Sequence, residues 1–278
     1  MEVILADHAG ACYGVKRALD LAYEAAGAST GAQTLGPLIH NSGVVKELEE
    51  KGIGVASTLD DISADTVIIR SHGVTPEVLD ALNEKGCHII DATCPHVLRA
   101  QKAALDLSER GNWVLVLGEK GHPEVDGLKA WAACGGGKVS VVSSIDELPD
   151  NLAEPIGIVV QTTQTEELLE SITQELANRG LHFELHNTIC SATSKRQNAV
   201  IELAQNVDAM VVIGGKNSSN TTRLFELCQK YCHLVFHIES IDELDKSSFL
   251  DVKTVGIAAG ASTPDPQIAS VVDCLRTY

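Results

Sequence analysis

Three cysteines of this 278-residue chain share one local sequence pattern. Each is followed by Val or Thr three residues later and by Arg or Lys five residues later, and each opens a predicted helix. The three are Cys12, Cys94 and Cys190, separated by 82 and 96 residues, intervals close to a third of the chain. Soft metals prefer thiolate ligands, so the recurrence predicts a site for an iron–sulfur cluster, copper(I) or zinc.

The spacing of these cysteines also bears on the organisation of the chain. Three similar units can bring equivalent cysteines together only if the units surround a common axis. A helix N-terminus and a nearby cation both favour the thiolate form that binds a metal. With three protein ligands, a four-iron cluster keeps one iron that no protein sulfur binds, open as a Lewis acid to an oxygen of a substrate.

Five glycine-flanked loops rich in His, Ser and Asn form a second group of chemically suited residues. Most of them follow a predicted strand and precede a predicted helix, where α/β folds bind ligands and where exposed N–H groups favour phosphates. One such loop is ordinary turn chemistry, but five together predict a phosphate or diphosphate site. The loops are residues 36–41, 70–73, 118–124, 214–220 and 260–264.

A single carboxylate is placed to donate a proton. Glu124 lies two residues after His122, and an apolar neighbourhood would raise its pKa enough for general acid catalysis. The alternative is a first-turn helix carboxylate, favoured there by the helix dipole. Thr162 and Thr163 follow a predicted strand and could place hydroxyls at the same crevice, although Thr162 could equally cap a helix.

Short apolar runs rich in β-branched residues alternate with amphipathic helical stretches along the whole chain. Proline and glycine mark helix ends: Pro76 and Pro95 lie where helices begin, and Gly86, Gly111 and Gly180 lie where helices end. This alternation predicts βαβ units with mostly parallel sheets. The runs predicted as strands include 2–6, 66–69, 113–117, 156–160, 207–213 and 254–258.

The cysteine repeat divides these units into three α/β domains. We predict domains over 14–93, 94–188 and 189–278, with residues 1–13 packing near the centre. No proline-rich or low-complexity linker separates them.

Composition and charge exclude several functional classes. The chain has 21 Lys and Arg against 38 Asp and Glu, a formal net charge of −17, so it repels nucleic acids and anionic membrane surfaces. Its apolar runs are far shorter than the roughly 20 residues of a membrane span. Because the first residues also lack a secretory signal, we expect a cytoplasmic protein. In that compartment Cys228 and Cys232 are interpreted as small buried hydrophobic residues.

Taken together, these motifs resemble the 4-hydroxy-3-methylbut-2-enyl diphosphate reductase (LytB/IspH) family. The resemblance extends over almost the whole chain, with several motifs in fixed order. The matching segments are 11–15, 70–73, 91–95, 121–124, 161–163, 218–221 and 260–264.

The resemblance implies an α/β fold of three similar α/β domains, arranged as a trefoil with pseudo-threefold symmetry around a [4Fe-4S] cluster. It implies that Cys12, Cys94 and Cys190 bind this cluster and leave one iron without a protein ligand. It assigns Glu124 as the proton donor, with Thr162 assisting at the substrate hydroxyl. The residues that would hold the substrate diphosphate are His40, His72, His122, Ser218, Asn220 and Ser262, with Ser219 close by.

The implied reaction removes the allylic hydroxyl of 4-hydroxy-3-methylbut-2-enyl diphosphate with two electrons and two protons. It yields water and isopentenyl and dimethylallyl diphosphates, the last step of the non-mevalonate isoprenoid pathway. Because no dinucleotide fingerprint follows a strand, we expect electrons from a ferredoxin or flavodoxin. Arg17, Arg99 and Lys195 could dock such an acidic carrier; alternatively, they pair with nearby carboxylates or only tune the cluster.

Two functions from other classes remain open at this point. A zinc-stabilised diphosphate-binding module without redox activity would use the same three thiolates and would be colourless. A metal-dependent phosphohydrolase built on His40, His72 and His122 would release phosphate, but it leaves the cysteine repeat unexplained.

Overall fold

Twelve strands of the described chain form three four-stranded sheets in which every neighbouring pair is parallel. The structure is a computed structural model that describes residues 1–28 and 31–278. It divides into a first unit of residues 1–16, 40–44 and 191–278 and a second unit of residues 17–39 and 45–190.

The first unit contains one sheet with the strand order β11-β10-β12-β1. Its strands are β1 (Glu2–Leu5), β10 (Ala209–Ile213), β11 (Leu234–Ile238) and β12 (Thr254–Ala259). Its helices are α7 (Ser191–Ala204), α8 (Ser219–Tyr231) and α9 (Asp265–Leu275), and the helices α1 (Tyr13–Ala28) and α2 (Ser42–Glu50) begin in this unit. The first strand of the chain thus lies at a sheet edge beside the last strand.

Both faces of this sheet are buried, as expected for parallel strands covered by helices. Val211 and Ile257 point to a cluster that includes Ile268 and Leu275 of α9. Met210 and its neighbours on the opposite face pack against α7 and α8. Cys228 and Cys232 belong to this second cluster and are buried, which confirms their interpretation as packing residues.

The second unit contains two sheets with the orders β3-β2-β4-β5 and β7-β6-β8-β9. The first sheet has β2 (Ala32–Leu35), β3 (Ile53–Ala56), β4 (Thr66–Ile69) and β5 (His88–Asp91), with α3 (Pro76–Glu84). The second has β6 (Trp113–Leu117), β7 (Val139–Val142), β8 (Ile156–Val160) and β9 (Phe183–His186), with α4 (Pro95–Glu109), α5 (Pro123–Cys134) and α6 (Glu166–Asn178). Helices α4 and α5 pack on one face of the second sheet, and α6 packs on the other.

All three sheets have the same strand order. When the four strands of each sheet are numbered from β2, β6 or β10, with β1 as the fourth strand of the last sheet, the order across the sheet is second, first, third, fourth. A short repeat that the sequence analysis missed accompanies this order. The sequence Ser or Thr, Leu or Ile, Asp, Asp or Glu follows β3, β7 and β11 as a 3-10 turn, at Leu59–Asp61, Ile145–Glu147 and Ile241–Glu243. The predicted α/β class with three similar parallel sheets is therefore confirmed, whereas the predicted domain limits stay predictions.

The predicted strands and helices lie close to those observed. Strands 66–69, 113–117 and 156–160 have the predicted bounds, and helices begin at Pro76 and Pro95. The strand predicted over 207–213 begins at Ala209, and the Asp208 carboxylate just before it accepts the backbone N–H groups of Lys253 and Thr254. Within the described residues, no helix is long and apolar enough to cross a membrane.

The burial of Cys228 gives a chemical prediction. Burial raises the pKa of this thiol to about 12, and the neighbouring Cys232 adds to the shift, so little thiolate forms near pH 8. Iodoacetamide at pH 8 is expected to modify the exposed Cys134 in the native protein and to leave Cys228 unmodified. Mass spectrometry of the labelled peptides measures both, and labelling after denaturation controls for intrinsic reactivity. Equal native labelling of the two thiols would contradict the burial of Cys228.

Candidate functional site

The five glycine-flanked loops connect strands with the helices that follow them. They lie after β2, β4, β6, β10 and β12 and before α2, α3, α5, α8 and α9. The prediction of this placement is confirmed. In each sheet these loops emerge at the carboxyl ends of parallel strands, where α/β folds bind ligands.

Each of the three repeated cysteines directly precedes a helix, as predicted. Helix α1 begins after Cys12, α4 after Cys94 and α7 after Cys190. All three cysteines are partly buried, and none of them forms a disulfide in the described chain. Partly buried thiols at helix N-termini are suited to bind a soft metal.

The backbone N–H of each cysteine donates to a carbonyl of a neighbouring loop. Each cysteine follows the edge strand of its sheet, and each acceptor lies two residues beyond the end of the adjacent strand. In the first unit Cys12 donates to Ala261 at 3.2 Å. In the second unit Cys94 donates to Ser71 and Cys190 to Thr162, both at 3.0 Å. These loops also carry Ser262, His72 and Thr162, which were predicted to contact substrate.

Glu124 and Thr162 are in direct contact in the second unit. The Thr162 backbone N–H donates to Oε1 of Glu124 at 2.6 Å, and the Thr162 hydroxyl bonds Oε2 at 2.8 Å. Glu124 is only 2% exposed. Burial raises the pKa of Glu124 to about 7, although both bonds from Thr162 lower it. The carboxyl group therefore gains and loses a proton near neutral pH, as a general acid must.

Glu124 lies in the first turn of α5, as its alternative predicted, and it is also buried against Thr162. Thr162 does not cap the next helix, because α6 begins at Glu166 and its N-cap is Thr165.

Two histidines predicted to contact substrate lie together in the second unit. His72 and His122 meet edge to face, with ring centroids 5.6 Å apart. His122 caps α5, and its Nδ1 accepts the backbone N–H of Glu124 at 3.1 Å. In the neutral ring this bond places the proton on Nε2, which can donate to an anion.

Gln161 is a buried residue to which the sequence analysis gave no role. Its Oε1 accepts the backbone N–H of Glu119 at 2.9 Å, and its Nε2 donates to the Thr163 hydroxyl at 3.0 Å. It thereby joins the loop of His122 to the loop of Thr162. A polar residue directly after the apolar strand β8 was the available signal.

Three of the residues predicted to hold a diphosphate lie at the N-terminus of α8 in the first unit. Ser218, Ser219 and Asn220 are each 5–6% exposed, and Ser218 caps the helix by accepting the Thr221 N–H. Nδ2 of Asn220 is buried and has no hydrogen-bond partner among residues 1–28 and 31–278. A helix N-terminus with an additional buried N–H donor favours an anion.

His40 and Ser262 also belong to the first unit and are joined through their loops. The Ser262 hydroxyl donates to the His40 carbonyl at 3.0 Å. Asn41, which the sequence analysis gave no role, donates to the Ser262 carbonyl at 3.0 Å and to Gln267 at 3.1 Å. Its Oδ1 caps α2 by accepting the Val44 N–H, so an Asn directly before a helix was the missed signal.

The predicted site residues therefore fall into two groups. The first unit holds Cys12 with the diphosphate candidates His40, Ser218, Ser219, Asn220 and Ser262. The second unit holds Cys94, Cys190, His72, His122, Glu124 and Thr162. Each group thus contains at least one predicted metal ligand and several residues predicted to bind the diphosphate, and the second also contains the predicted proton donor.

Comparison with known proteins shows the family. The sequence model described as "LytB protein" matches residues 3–276. The chain belongs to the LytB family. The resemblance proposed from the sequence motifs is thereby confirmed.

Relatives in the LytB family match this chain over nearly its whole length. A 4-hydroxy-3-methylbut-2-enyl diphosphate reductase of Trichlorobacter lovleyi is 48% identical over 99% of this chain and 98% of its own. The protein of the same name from Aquifex aeolicus is 45% identical over 95% of this chain and 92% of its own.

Two solved structures of diphosphate reductases are also similar. One, described as the terminal enzyme of the non-mevalonate pathway, is 43% identical with a TM-score of 0.73, and all of both chains is covered. The reductase of Plasmodium falciparum is 26% identical with a TM-score of 0.92, covering 99% of this chain and 87% of its own.

The basic residues that follow the cysteines differ in their surroundings. Arg17 donates to the carbonyl oxygens of Thr93 and Asp91, both at 3.2 Å, whereas Arg99 and Lys195 are exposed. The bonds of Arg17 explain its position near a helix N-terminus without a docked carrier. The docking of an electron carrier on these residues stays a prediction.

The raised pKa of Glu124 makes the stability of this LytB protein depend on pH. The folded state favours the protonated carboxyl of Glu124. This preference stabilises the fold at a pH below 4.5, the ordinary pKa of a glutamate, and the stabilisation is lost as the pH rises through about 7. Glu124→Gln keeps the neutral shape, so relative to the parent protein it is expected to gain about 3 kcal/mol of unfolding free energy between pH 5 and pH 9. Urea denaturation followed by circular dichroism measures the difference.

Glu109→Gln, at an exposed position on α4, is the matched control and is expected to show no such trend. A difference between the Glu124→Gln and parent proteins that stays constant across this pH range would show that Glu124 is not a buried carboxyl with a raised pKa.

A close approach at Gly215 gives a steric prediction. A Cβ there would lie 2.8 Å from the His40 carbonyl oxygen and 2.9 Å from Asn217 Oδ1. Gly215→Ala is expected to cost about 1–3 kcal/mol of unfolding free energy and to weaken pyrophosphate binding, because the loop of His40 must move. Calorimetry measures the unfolding free energy and the binding of pyrophosphate.

Gly27→Ala is the control, because this glycine lies on an exposed helical face with open space around it. This substitution should increase the unfolding free energy by about 0.5–1 kcal/mol. Similar effects of the two substitutions would contradict the close contact at Gly215.

Proposed function

We propose that this chain reduces 4-hydroxy-3-methylbut-2-enyl diphosphate to isopentenyl and dimethylallyl diphosphates, the last step of the non-mevalonate pathway. The observation that carries the proposal is the buried Glu124 bonded to Thr162, whose carbonyl in turn accepts the N–H of Cys190. Through Thr162, these hydrogen bonds connect the proposed proton donor with a cysteine whose thiol can bind a redox metal. The near full-length relatives that bear the reductase name support this function over a zinc-stabilised binding module.

We propose a [4Fe-4S] cluster on Cys12, Cys94 and Cys190 as the cofactor. The donor set fits this group, since each thiol is partly buried, directly precedes a helix and has its backbone held by a neighbouring loop. When bound, such a cluster supplies electrons singly and offers one iron without a protein sulfur as a Lewis acid. The arrangement of the three domains around it stays a prediction.

Glu124 and Thr162 can supply a proton to the departing hydroxyl. With a pKa of about 7, Glu124 is protonated in a large fraction of molecules at neutral pH. The protonated carboxyl donates to the Thr162 hydroxyl, and that hydroxyl can donate in turn to a substrate oxygen. The overall change consumes two electrons and two protons, breaks the allylic C–O bond and releases water.

The diphosphate would be held by the donors of both groups. His122 lies at the N-terminus of α5, and Ser218, Ser219 and Asn220 lie at the N-terminus of α8. His40, His72 and Ser262 complete the set assigned by resemblance. Because these donors are neutral or locally positive, they can hold a diphosphate in spite of the net charge of −17.

The proposed electron donor is a ferredoxin or flavodoxin. The sequence has no dinucleotide fingerprint after a strand, which argues against direct transfer from a nicotinamide. A cytoplasmic location likewise stays a prediction from the sequence.

Anaerobic purification followed by turnover with dithionite-reduced methyl viologen tests this proposal. We expect a brown protein with about four irons per chain that forms both C5 diphosphates. Glu124→Gln is expected to keep its iron but lose about 100- to 10,000-fold in turnover, because the proton donor is gone. Glu109→Gln serves as the control and should match the parent protein.

Three results would overturn the proposal. A colourless zinc-containing protein would indicate a binding module, and release of inorganic phosphate would indicate a phosphohydrolase. Unchanged turnover in Glu124→Gln would remove Glu124 from the mechanism.

A further inference from the structure

Arg196 is a buried arginine in the first unit. It is the sixth residue of α7 and only 4% exposed. A guanidinium group removed from water is costly unless its N–H groups are hydrogen-bonded. The hydrogen bonds of the guanidinium group are therefore needed to stabilise Arg196 in its buried position.

The guanidinium of Arg196 holds the turn that precedes Cys12. Nε donates to the His8 carbonyl at 2.9 Å, and Nη2 donates to the Gly10 carbonyl at 2.7 Å. The two acceptors lie four and two residues before the cysteine. A planar fork can satisfy two such carbonyls at once, which a lysine ammonium matches less well.

The turn itself has a backbone that needs support. His8 has φ of 61° and Gly10 has φ of 93°, both in the left-handed region. A Cβ at Gly10 would lie 3.0 Å from Ile268 Cδ1 and 3.1 Å from Asp265 Oδ1, so the turn is also packed closely against α9. A non-glycine residue in the left-handed region is unfavourable unless surrounding contacts hold it.

The segment from β1 to Cys12 is tied at both ends. The Ala6 N–H donates to the Ile257 carbonyl at 2.8 Å, and the Cys12 N–H donates to the Ala261 carbonyl. Between these two backbone bonds, Arg196 supplies the side-chain bonds to the turn. It thus completes the support of Cys12 from within the same unit.

We propose that Arg196 is a positioning residue that holds Cys12 in the geometry in which its thiolate binds the cluster. This inference rests on the proposed function, since it concerns a ligand of the proposed cofactor. In the second unit Arg17 makes a similar contact with the carbonyls of Thr93 and Asp91, just before Cys94. Arginine support of the turn before a ligand thus occurs in each unit.

Arg196→Lys tests this role, because it keeps the positive charge but replaces the planar guanidinium, which bonds both carbonyls, with a single ammonium group. The readout is the rate at which a chelator removes iron from the anaerobic holoprotein, followed by the loss of visible absorbance. We expect removal about 10–100-fold faster than from the parent protein, the usual effect of losing support for a metal ligand. KM for the substrate should stay unchanged.

Arg179→Lys is the matched control. Arg179 also donates to a backbone carbonyl, that of Pro149 at 3.2 Å, and Pro149 lies at least 41 residues from each of the three cysteines in the sequence. Its iron loss should equal that of the parent. If Arg196→Lys does not fold, Arg196→Gln in the presence of methylguanidinium carries the test, and added methylguanidinium should slow its iron loss.

The outcomes separate this inference from the proposed function. A parent protein that binds no iron overturns both. A parent protein with its cluster, combined with an Arg196→Lys protein that loses iron at the parent rate, overturns the positioning role alone. A lowered thermal stability without faster iron loss, or no effect of methylguanidinium on Arg196→Gln, also overturns it, because it shows a purely structural role.

Discussion

The hydrogen bond from a cysteine backbone N–H to the loop of the adjacent strand is the constraint on which the candidate site depends. It occurs in each of the three sheets, always from the residue that precedes a helix to the second residue after a strand. Parallel pairing explains the recurrence, since the carboxyl ends of neighbouring strands must emerge side by side. The position of each thiol is thereby tied to a loop that carries residues suited to bind or protonate a substrate.

The same geometry explains how one carboxyl group acquires useful acidity. Glu124 lies in the first turn of α5 and is buried, and its removal from water favours the protonated form of the carboxyl group. The two bonds from Thr162 partly offset this burial, so the pKa stays near 7 instead of rising further. Because the Thr162 carbonyl also accepts the backbone N–H of Cys190, a change in this loop would affect the proposed proton donor and a proposed metal ligand together.

Local patterns predicted much of the fold and of the candidate site. Proline at the first position of α3 and α4 set the helix starts, and the cysteine repeat pointed to three similar units. The edge position of β1 was not predictable in this way, because its partner β12 lies about 250 residues away in sequence. Local signals were present for Asn41 and Gln161, but their long-range hydrogen bonds, like those of Arg196, involve partners that only the folded chain brings near.

The ⁵⁷Fe Mössbauer spectrum of the anaerobic protein tests the central claim most directly. Three thiolates from Cys12, Cys94 and Cys190 on a four-iron cluster predict that about one iron in four gives a distinct signal, and that only this signal shifts when substrate is added. Four irons with equivalent sulfur ligation, or a spectrum that substrate leaves unchanged, would contradict the account.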